Sequence, residues 1–311
     1  MTAKVAKPTL AHYMEYYALR GAVGALRRMH LRSAGDVGER LGRWAYSPFG
    51  VRRAVVERQV RAAFPGLDEP DVLRIARESY GHLGRTSIEA ALLPSCSRER
   101  LAALFDRVEG WDVFESALSA GRGAMIVAGH LGNWELGGSY IAARGIGMNA
   151  VARGMQNPWF DRYLTENRRR LGVTVVADAD AVRRIPRVVR KGGVAGFLFD
   201  QGAVGLASTW VPFFGRWAKT PRGPAVFALR LNAPLVFAAA IRQPSGQYVL
   251  HRENIPLSDT GNIEADVDTI VAAYTNTLER WVRRYPEQYF WQHRRWKHQR
   301  PGTPPELGDP S

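Results

Sequence analysis

The chain is poor in several things that would each point somewhere definite. It has one cysteine, Cys96, in 311 residues, so neither an intramolecular disulfide nor a thiolate metal cluster can form. It has few acidic residues, 29 against 43 lysines and arginines, for a formal charge of +14. That excess calls for an anionic partner, and nucleic acid, anionic lipid and an acidic carrier protein all fit it. Long uncharged apolar runs are missing as well. The most apolar N-terminal stretch, Leu10 to Leu31, is broken by Glu15, Arg20, Arg27 and Arg28, short of the about 18 residues that a clean span needs. Met1 to Pro8 carries two lysines without an apolar core, which is not the pattern of a secretory signal. There is no G-x-S-x-G elbow, no phosphate-binding P-loop and no H-E-x-x-H, and Gly145-Ile146-Gly147 alone does not make a dinucleotide fingerprint. No activated serine or cysteine is in evidence. A non-covalent general-base mechanism without metal or cofactor is the economical reading.

What is present centres on Gly123 to Glu135, G-A-M-I-V-A-G-H-L-G-N-W-E. The apolar run Ala124 to Ala128, bounded by glycines, reads as a buried strand. Asn133 is a good N-cap for the helical segment Trp134 to Arg144. His130 is therefore expected at the carboxyl end of a strand and the mouth of a helix, where open α/β sheets bind ligands. Glu135, five residues on, could turn back to hold Nδ1–H and leave Nε2 free to take a proton from a hydroxyl. The bland alternative is a histidine at a strand end and a glutamate in a first helical turn, where the dipole favours an anion.

Elsewhere the pattern divides in two. Residues 34–107 read as helical, with Arg52 to Ala63 and Pro70 to Leu92 separated by the Pro65-Gly66 turn. From Val108 strands and helices alternate. Strands are expected at Asn149 to Ala152, Val173 to Ala177, Val194 to Phe199, Leu235 to Ile241 and Tyr248 to Arg252. Helices are expected at Glu115 to Ala120, Pro158 to Leu171, Ala181 to Lys191, Arg222 to Leu231 and Ala265 to Tyr285. This alternation predicts an α/β fold with a mixed, mostly parallel central sheet flanked by helices. At the N-terminus, Tyr13, Tyr16 and Tyr17 among arginines suit the headgroup level of a membrane, and a helix packed on the protein's own core is the alternative. Pro301 to Ser311 is rich in proline and glycine and reads as a loose tail.

Further residues stand at the expected sheet edge. Arg153 follows a strand, and Arg168 lies near the end of the next helix, with Arg169 and Arg170 beside it; a strand-end arginine can bind phosphate or an oxyanion. Asp200, with Gln201 after it, ends the apolar strand G-F-L-F-D-Q. A carboxylate there is costly to leave unpaired, so it sits at the open edge or pairs with Arg153 or Arg168. Phe213 and Phe214 can wall an apolar tunnel or belong to the core. Thr220 with Pro221 reads as a helix start. The run Pro286 to Lys297 interleaves Tyr289, Phe290, Trp291 and Trp296 with His293, Arg294, Arg295 and Lys297, a composition that suits nucleic acid or a membrane interface equally.

These blocks carry a resemblance. H-L-G-N-W-E looks like the His-x4-acid motif of the glycerolipid acyltransferase superfamily, in the variant of the late acyltransferases of lipid A biosynthesis, which are related to phosphatidylinositol mannoside acyltransferases. E-R-Q-V-R-A-A-F-P-G-L (Glu57 to Leu67), the Arg153…Arg168-to-Gly172 block, V-P-F-F-G…T-P-R-G-P-A and P-E-Q-Y-F-W-Q-H-R-R-W-K resemble the same family in order, over roughly residues 35–300. The resemblance implies an acyltransferase domain over 34–300, preceded by a membrane-associating helix in 1–33 and followed by the tail 301–311. It implies His130 as base, Glu135 and Asp200 as acidic partners, and Gly132, Asn133, Trp134, Arg153, Arg168, Gln201, Phe213 and Phe214 as substrate-binding residues. The implied donor is acyl carrier protein or coenzyme A and the implied acceptor a lipid A precursor or other glycolipid. The implied place is the cytoplasmic face of the bacterial inner membrane, against anionic lipids, with no nucleic acid. A basic nucleic-acid-binding module without catalysis is the rival from another class.

Overall fold

The computed structural model describes residues 9–110, 112–201 and 207–310; Met1 to Pro8, read above for a secretory signal, lies outside them. The chain opens with helices α1 (Leu10–Leu26), α2 (Leu31–Tyr46), α3 (Arg53–Ala63), α4 (Glu69–Leu92) and α5 (Arg98–Ala102). Alternation follows: β1 (Phe105–Val108), α6 (Asp112–Ser119), β2 (Ala124–Ala128), α7 (Trp134–Ala143), β3 (Met148–Ala152), α8 (Pro158–Arg170), β4 (Val173–Ala177), α9 (Ala181–Arg190) and β5 (Val194–Leu198). The last part is β6 (Ser208–Phe213), β7 (Arg216–Pro221), α10 (Gly223–Leu231), β8 (Leu235–Arg242), β9 (Tyr248–Ile255) and α11 (Ile263–Arg284).

Seven strands form one sheet in the order β1-β9-β8-β2-β5-β3-β4. Only β8 and β9 pair antiparallel; the other neighbours run parallel. The sheet is thus mixed and mostly parallel. Its middle strands, A-M-I-V-A and V-A-G-F-L, are almost wholly buried, as continuous apolar strands covered on both faces should be. On one face Leu136, Tyr140 and Ile141 of α7 pack over Ile126, Val236, Ala238 and Leu250. On the other, α9, α10 and α11 pack over Met125, Val127, Phe197 and Phe237, and this core runs on into α3 and α4 through Val56, Val60, Val72 and Ile75.

Three strands escaped the pattern. β1 lies at the sheet edge, with only Phe105 buried. β6 and β7 form a separate antiparallel ribbon. Its turn, Phe214-Gly215, takes φ of 52° and 71°, the left-handed pair that two-residue hairpins use. Pro212 argues against a central strand but is tolerated in a two-stranded ribbon. Thr220 is accordingly not a helix cap: it lies within β7, one residue before its end, fully buried, and accepts a hydrogen bond from Arg295 Nη2 at 2.6 Å. Helix α10 begins at Gly223, and its N-cap, Arg222, makes no side-chain cap.

Helices α2 and α4 pack in opposite directions through glycines. A Cβ on Gly42 would run into the carbonyl of Tyr80, and one on Gly84 into that of Gly38. The tail expected to be loose is tied down: Arg58 Nε donates to Pro310 O at 3.0 Å, Arg216 Nη1 to Gly308 O at 2.9 Å, and Arg294 pairs with Asp309. Helix α1 lies on α8. The rings of Tyr13 and Tyr16 stand 5.3 and 5.8 Å from that of Trp159, and Asn157 Nδ2 donates to His12 O and Glu15 Oε2. Its other side leaves Leu10, Met14 and Tyr17 exposed. Among the described residues no helix is long and apolar enough to cross a membrane.

Gly42→Ala or Gly84→Ala should each lower the unfolding free energy, measured by urea titration, by about 1–3 kcal/mol from overpacking. Gly66→Ala, where a Cβ meets nothing, should stay within about 0.5 kcal/mol.

Candidate active site

The segment after β2 is clamped as well as turned. Gly132 has φ of 63°, and a Cβ there would strike the Ala240 carbonyl, so glycine alone fits. Its N–H donates to Gln288 O at 3.0 Å, and Phe290 N–H donates to His130 O at 3.0 Å. The stretch Gln288 to Phe290, leaving a 3-10 turn at Pro286–Gln288, thereby forms one wall of the site. The imidazole of His130 stands against Trp134, with centroids 4.8 Å apart, and Phe290, at 5.8 Å.

Asp200 is the partner of His130. β2 and β5 are in register with Ala128 opposite Leu198, so two residues further on both chains His130 meets Asp200. Asp200 Oδ2 accepts from the backbone N–H of His130 at 2.8 Å, and Oδ1 lies 2.6 Å from Nδ1. The carboxylate is buried. Burial pushes its pKa up, but the charge and hydrogen bonds of His130 outweigh this and hold it below the ordinary value. An ionised Asp200 keeps the proton on Nδ1 and leaves Nε2 as a lone-pair acceptor. Beyond Asp200, Arg295 is buried with its guanidinium on Lys219 O and Thr220. Burial lifts the phenol of Tyr289 well above its usual pKa, and the neighbouring Asp200 carboxylate adds to this.

The expected pairing of Glu135 with His130 is replaced. Glu135 is held by the guanidinium of Arg168, with Nε at 3.0 Å from Oε2 and Nη2 on Oε1. The physical reason is direction: α7 starts at Trp134, so Glu135 projects from its first turn towards α8, while Nδ1 faces β5. Asp200 correspondingly pairs with neither Arg153 nor Arg168. Arg153 bonds Asp178 at 3.1 Å, and Arg169 and Arg170 both bond Glu166. Gln201 follows Asp200, half-buried. Phe213 and Phe214 are core residues, packed with Trp291, Trp296 and Phe64. Tyr289, Trp291 and Trp296 are buried too, so they offer no face on which a nucleic-acid base could stack.

Of the amides around the turn, those of Gly132 and Asn133 are already used, the latter on Ala240 O at 2.8 Å. Among the described residues nothing pairs with the N–H groups of Trp134 and Glu135, at the positive end of α7. The turn itself rests on groups the sequence did not reveal. Asn133 is fully buried and caps α7 through Oδ1, which accepts from Leu136 N–H at 3.0 Å, while its Nδ2 donates to Glu89 at 2.8 Å. Glu89 also accepts from Tyr248 Oη at 2.5 Å and lies 3.4 Å from Arg85. Burial raises the Glu89 pKa against the pull of these donors. His82 supports the same turn: its Nε2 lies 3.0 Å from Gly132 O, and burial depresses its pKa to about 4.

A cleft opens beside the turn, about 770 Å³ including its mouth. It exists because α7 turns Gly137 and Gly138 towards a sheet face of Ala150, Gly196, Ala238 and Ala240. The lining is mostly apolar, with Ser139 and the Glu135–Arg168 pair as its polar members. Neither Phe213 nor Phe214 lines it.

A histidine held by a carboxylate, amides at a helix start and an apolar cleft are chemically suited to transfer of a group with an apolar body. Comparison with known proteins gives the class. The family model described as bacterial lipid A biosynthesis acyltransferase matches residues 4–298, and the chain belongs to that family; it is an O-acyltransferase. It is 26% identical over 262 residues to the lipid A biosynthesis palmitoleoyltransferase of Escherichia coli, covering 84% of each chain. It is 26% identical over 269 residues, 85% of each chain, to the lauroyltransferase of the same organism. Against the phosphatidylinositol mannoside acyltransferase of Mycobacterium tuberculosis it is 28% identical over 221 residues, 69% of this chain and 68% of the other.

Asp200→Asn should lower the turnover of acyl transfer by about a thousandfold or more, since the tautomer is no longer enforced, with circular dichroism unchanged. His82 gives a second test. Unfolded histidine titrates near pH 6.5 and folded His82 at about 4. Between these values the unfolded chain binds the extra proton. The contribution of neutral His82 is therefore complete above about pH 6.5 and is lost as pH falls towards 4, at up to about 1.4 kcal/mol per unit. Urea midpoints should show this slope, and His82→Gln, which keeps a donor for Gly132 O, should flatten it.

Proposed function

We propose that this enzyme moves a fatty acyl chain from a thioester, carried on acyl carrier protein or coenzyme A, to a hydroxyl of a lipid A precursor. His130 Nε2 takes the hydroxyl proton while the oxygen attacks the thioester carbonyl and the C–O bond forms. The oxyanion is received by the N–H groups of Trp134 and Glu135. Its collapse breaks the C–S bond, and the proton on His130 passes to the leaving thiolate. Asp200 fixes the tautomer and stabilises the imidazolium as it forms. The step as written calls for neither metal nor cofactor, and no acyl-enzyme forms. The acyl chain lies in the apolar cleft between α7 and the sheet, with the Arg168–Glu135 pair at its polar end.

The observation that carries this reading is the double hold of Asp200 on His130 in a chain of this family. The acceptor is inferred from what the relatives are named for, and a phosphatidylinositol mannoside or another glycolipid would engage the same chemistry. The enzyme works at the cytoplasmic face of the bacterial inner membrane, attached through the exposed side of α1, where Leu10, Met14 and Tyr17 stand one turn apart. The basic surface serves the acidic carrier and anionic headgroups.

The test is acyl transfer by the purified enzyme in detergent, with labelled acyl carrier protein and acyl-coenzyme A donors and a panel of bacterial lipids. Wild type should label a lipid, and the identity of that lipid distinguishes lipid A precursors from mannosides. His130→Ala should be slower by at least about a hundredfold. Equal rates, or a burst of covalently acylated protein, would overturn the mechanism.

A further inference from the structure

We propose that the turn between α2 and α3 is a second lipid-contact element, placing apolar side chains among anionic headgroups independently of α1. The inference takes from the function above only that the acceptor is a membrane lipid. Four large apolar residues here are exposed: Leu41 49%, Trp44 57%, Phe49 72% and Val51 54%. They are contiguous. Leu41 lies one helical turn before Trp44, Phe49 N–H donates to Trp44 O at 3.1 Å, and Val51 N–H donates to Ala45 O at 2.9 Å.

The turn is also held from inside. Tyr80 Oη donates to Val51 O, and Tyr46, buried behind it, donates to Glu57 at 2.7 Å. Isolated exposed apolar residues are ordinary on any surface, but a firmly held group of four is not. Its charge states the partner. Arg40, Arg43, Arg52 and Arg53 fall in this stretch, and no acidic residue lies between Arg40 and Glu57. The bordering acids are neutralised within the protein: Glu39 by Arg43 and Arg85, Glu57 by Arg53 and Tyr46. Arg40 and Arg52 remain exposed.

Tryptophan and phenylalanine at a cationic tip match the boundary between headgroups and acyl chains. The side chains stand exposed on the surface. A fluid bilayer accepts such protrusions without a matching pocket, whereas a protein partner has to supply one. Because α1 presents a short stripe of its own, two weak linked contacts would multiply in effect.

The full-length enzyme should be sedimented with phosphatidylglycerol-containing vesicles and with phosphatidylcholine vesicles. W44S/F49S should lower partitioning onto the anionic vesicles by at least about tenfold without changing thermal unfolding. R40Q/R52Q should abolish the preference for anionic over zwitterionic vesicles. As an independent readout, an environment-sensitive dye on Phe49→Cys, in a Cys96→Ser background, should shift to the blue on anionic vesicles. Unchanged partitioning of W44S/F49S, or an unshifted dye, would overturn the proposal. So would weakened binding of acyl carrier protein with vesicle binding intact, which would make the patch a protein-docking surface. Transfer to a detergent-solubilised acceptor, run in parallel, should match wild type in W44S/F49S. Loss of the function reading would show there and leave the vesicle result standing.

Discussion

One carboxylate holds the site together. Asp200 grips His130 twice, by ring and by backbone, so a single buried group sets the tautomer, the ring orientation and the path of the turn after β2. Burying it costs desolvation, which the hydrogen bonds from His130 and the nearby Arg295 guanidinium offset. The rest of the centre follows from that contact. The parallel register of β2 and β5 brings the two residues level, α11 and the Gln288–Phe290 stretch close the far side, and the first turn of α7 stands beside them.

Much of this was readable in the sequence, and the failures have particular causes. The buried strands around His130 and Asp200 were visible as apolar runs bounded by glycine, and the helix limits as caps and proline. Which acid serves His130 was not. Proximity along the chain favours Glu135, whereas the real partner arrives from a strand whose neighbour depends on sheet order, and sheet order leaves no local trace. Phe213 and Phe214 illustrate a second failure: an aromatic pair before a glycine has the same composition whether it walls a tunnel or fills a core. Their ribbon was hidden by Pro212 and by a turn formed by Phe214, a residue that seldom takes positive φ. The cleft was hidden for the opposite reason, since it is made of side chains that are not there: Gly137, Gly138, Gly196 and the alanines facing them.

The N-terminal helical layer is more than a cover. Through Glu89 it fixes the amide of Asn133, and through His82 it holds Gly132 O, so α4 supports the reactive turn from below. Glu89 also discriminates chemically: it accepts a hydrogen bond from an asparagine at position 133 and would repel an aspartate. Burial of such a group is a cost in stability taken on beside the first turn of α7.

The histidine and its carboxylate are 70 residues apart in the chain, and the wall that clamps them comes from position 288 onwards. Local pairing cannot assemble such a centre. During synthesis, β2 and its histidine emerge long before β5, and the clamp emerges last, so a growing chain displays an imidazole of no special reactivity. The histidine, its carboxylate and their wall come together only when the segment from position 288 onwards has joined the sheet.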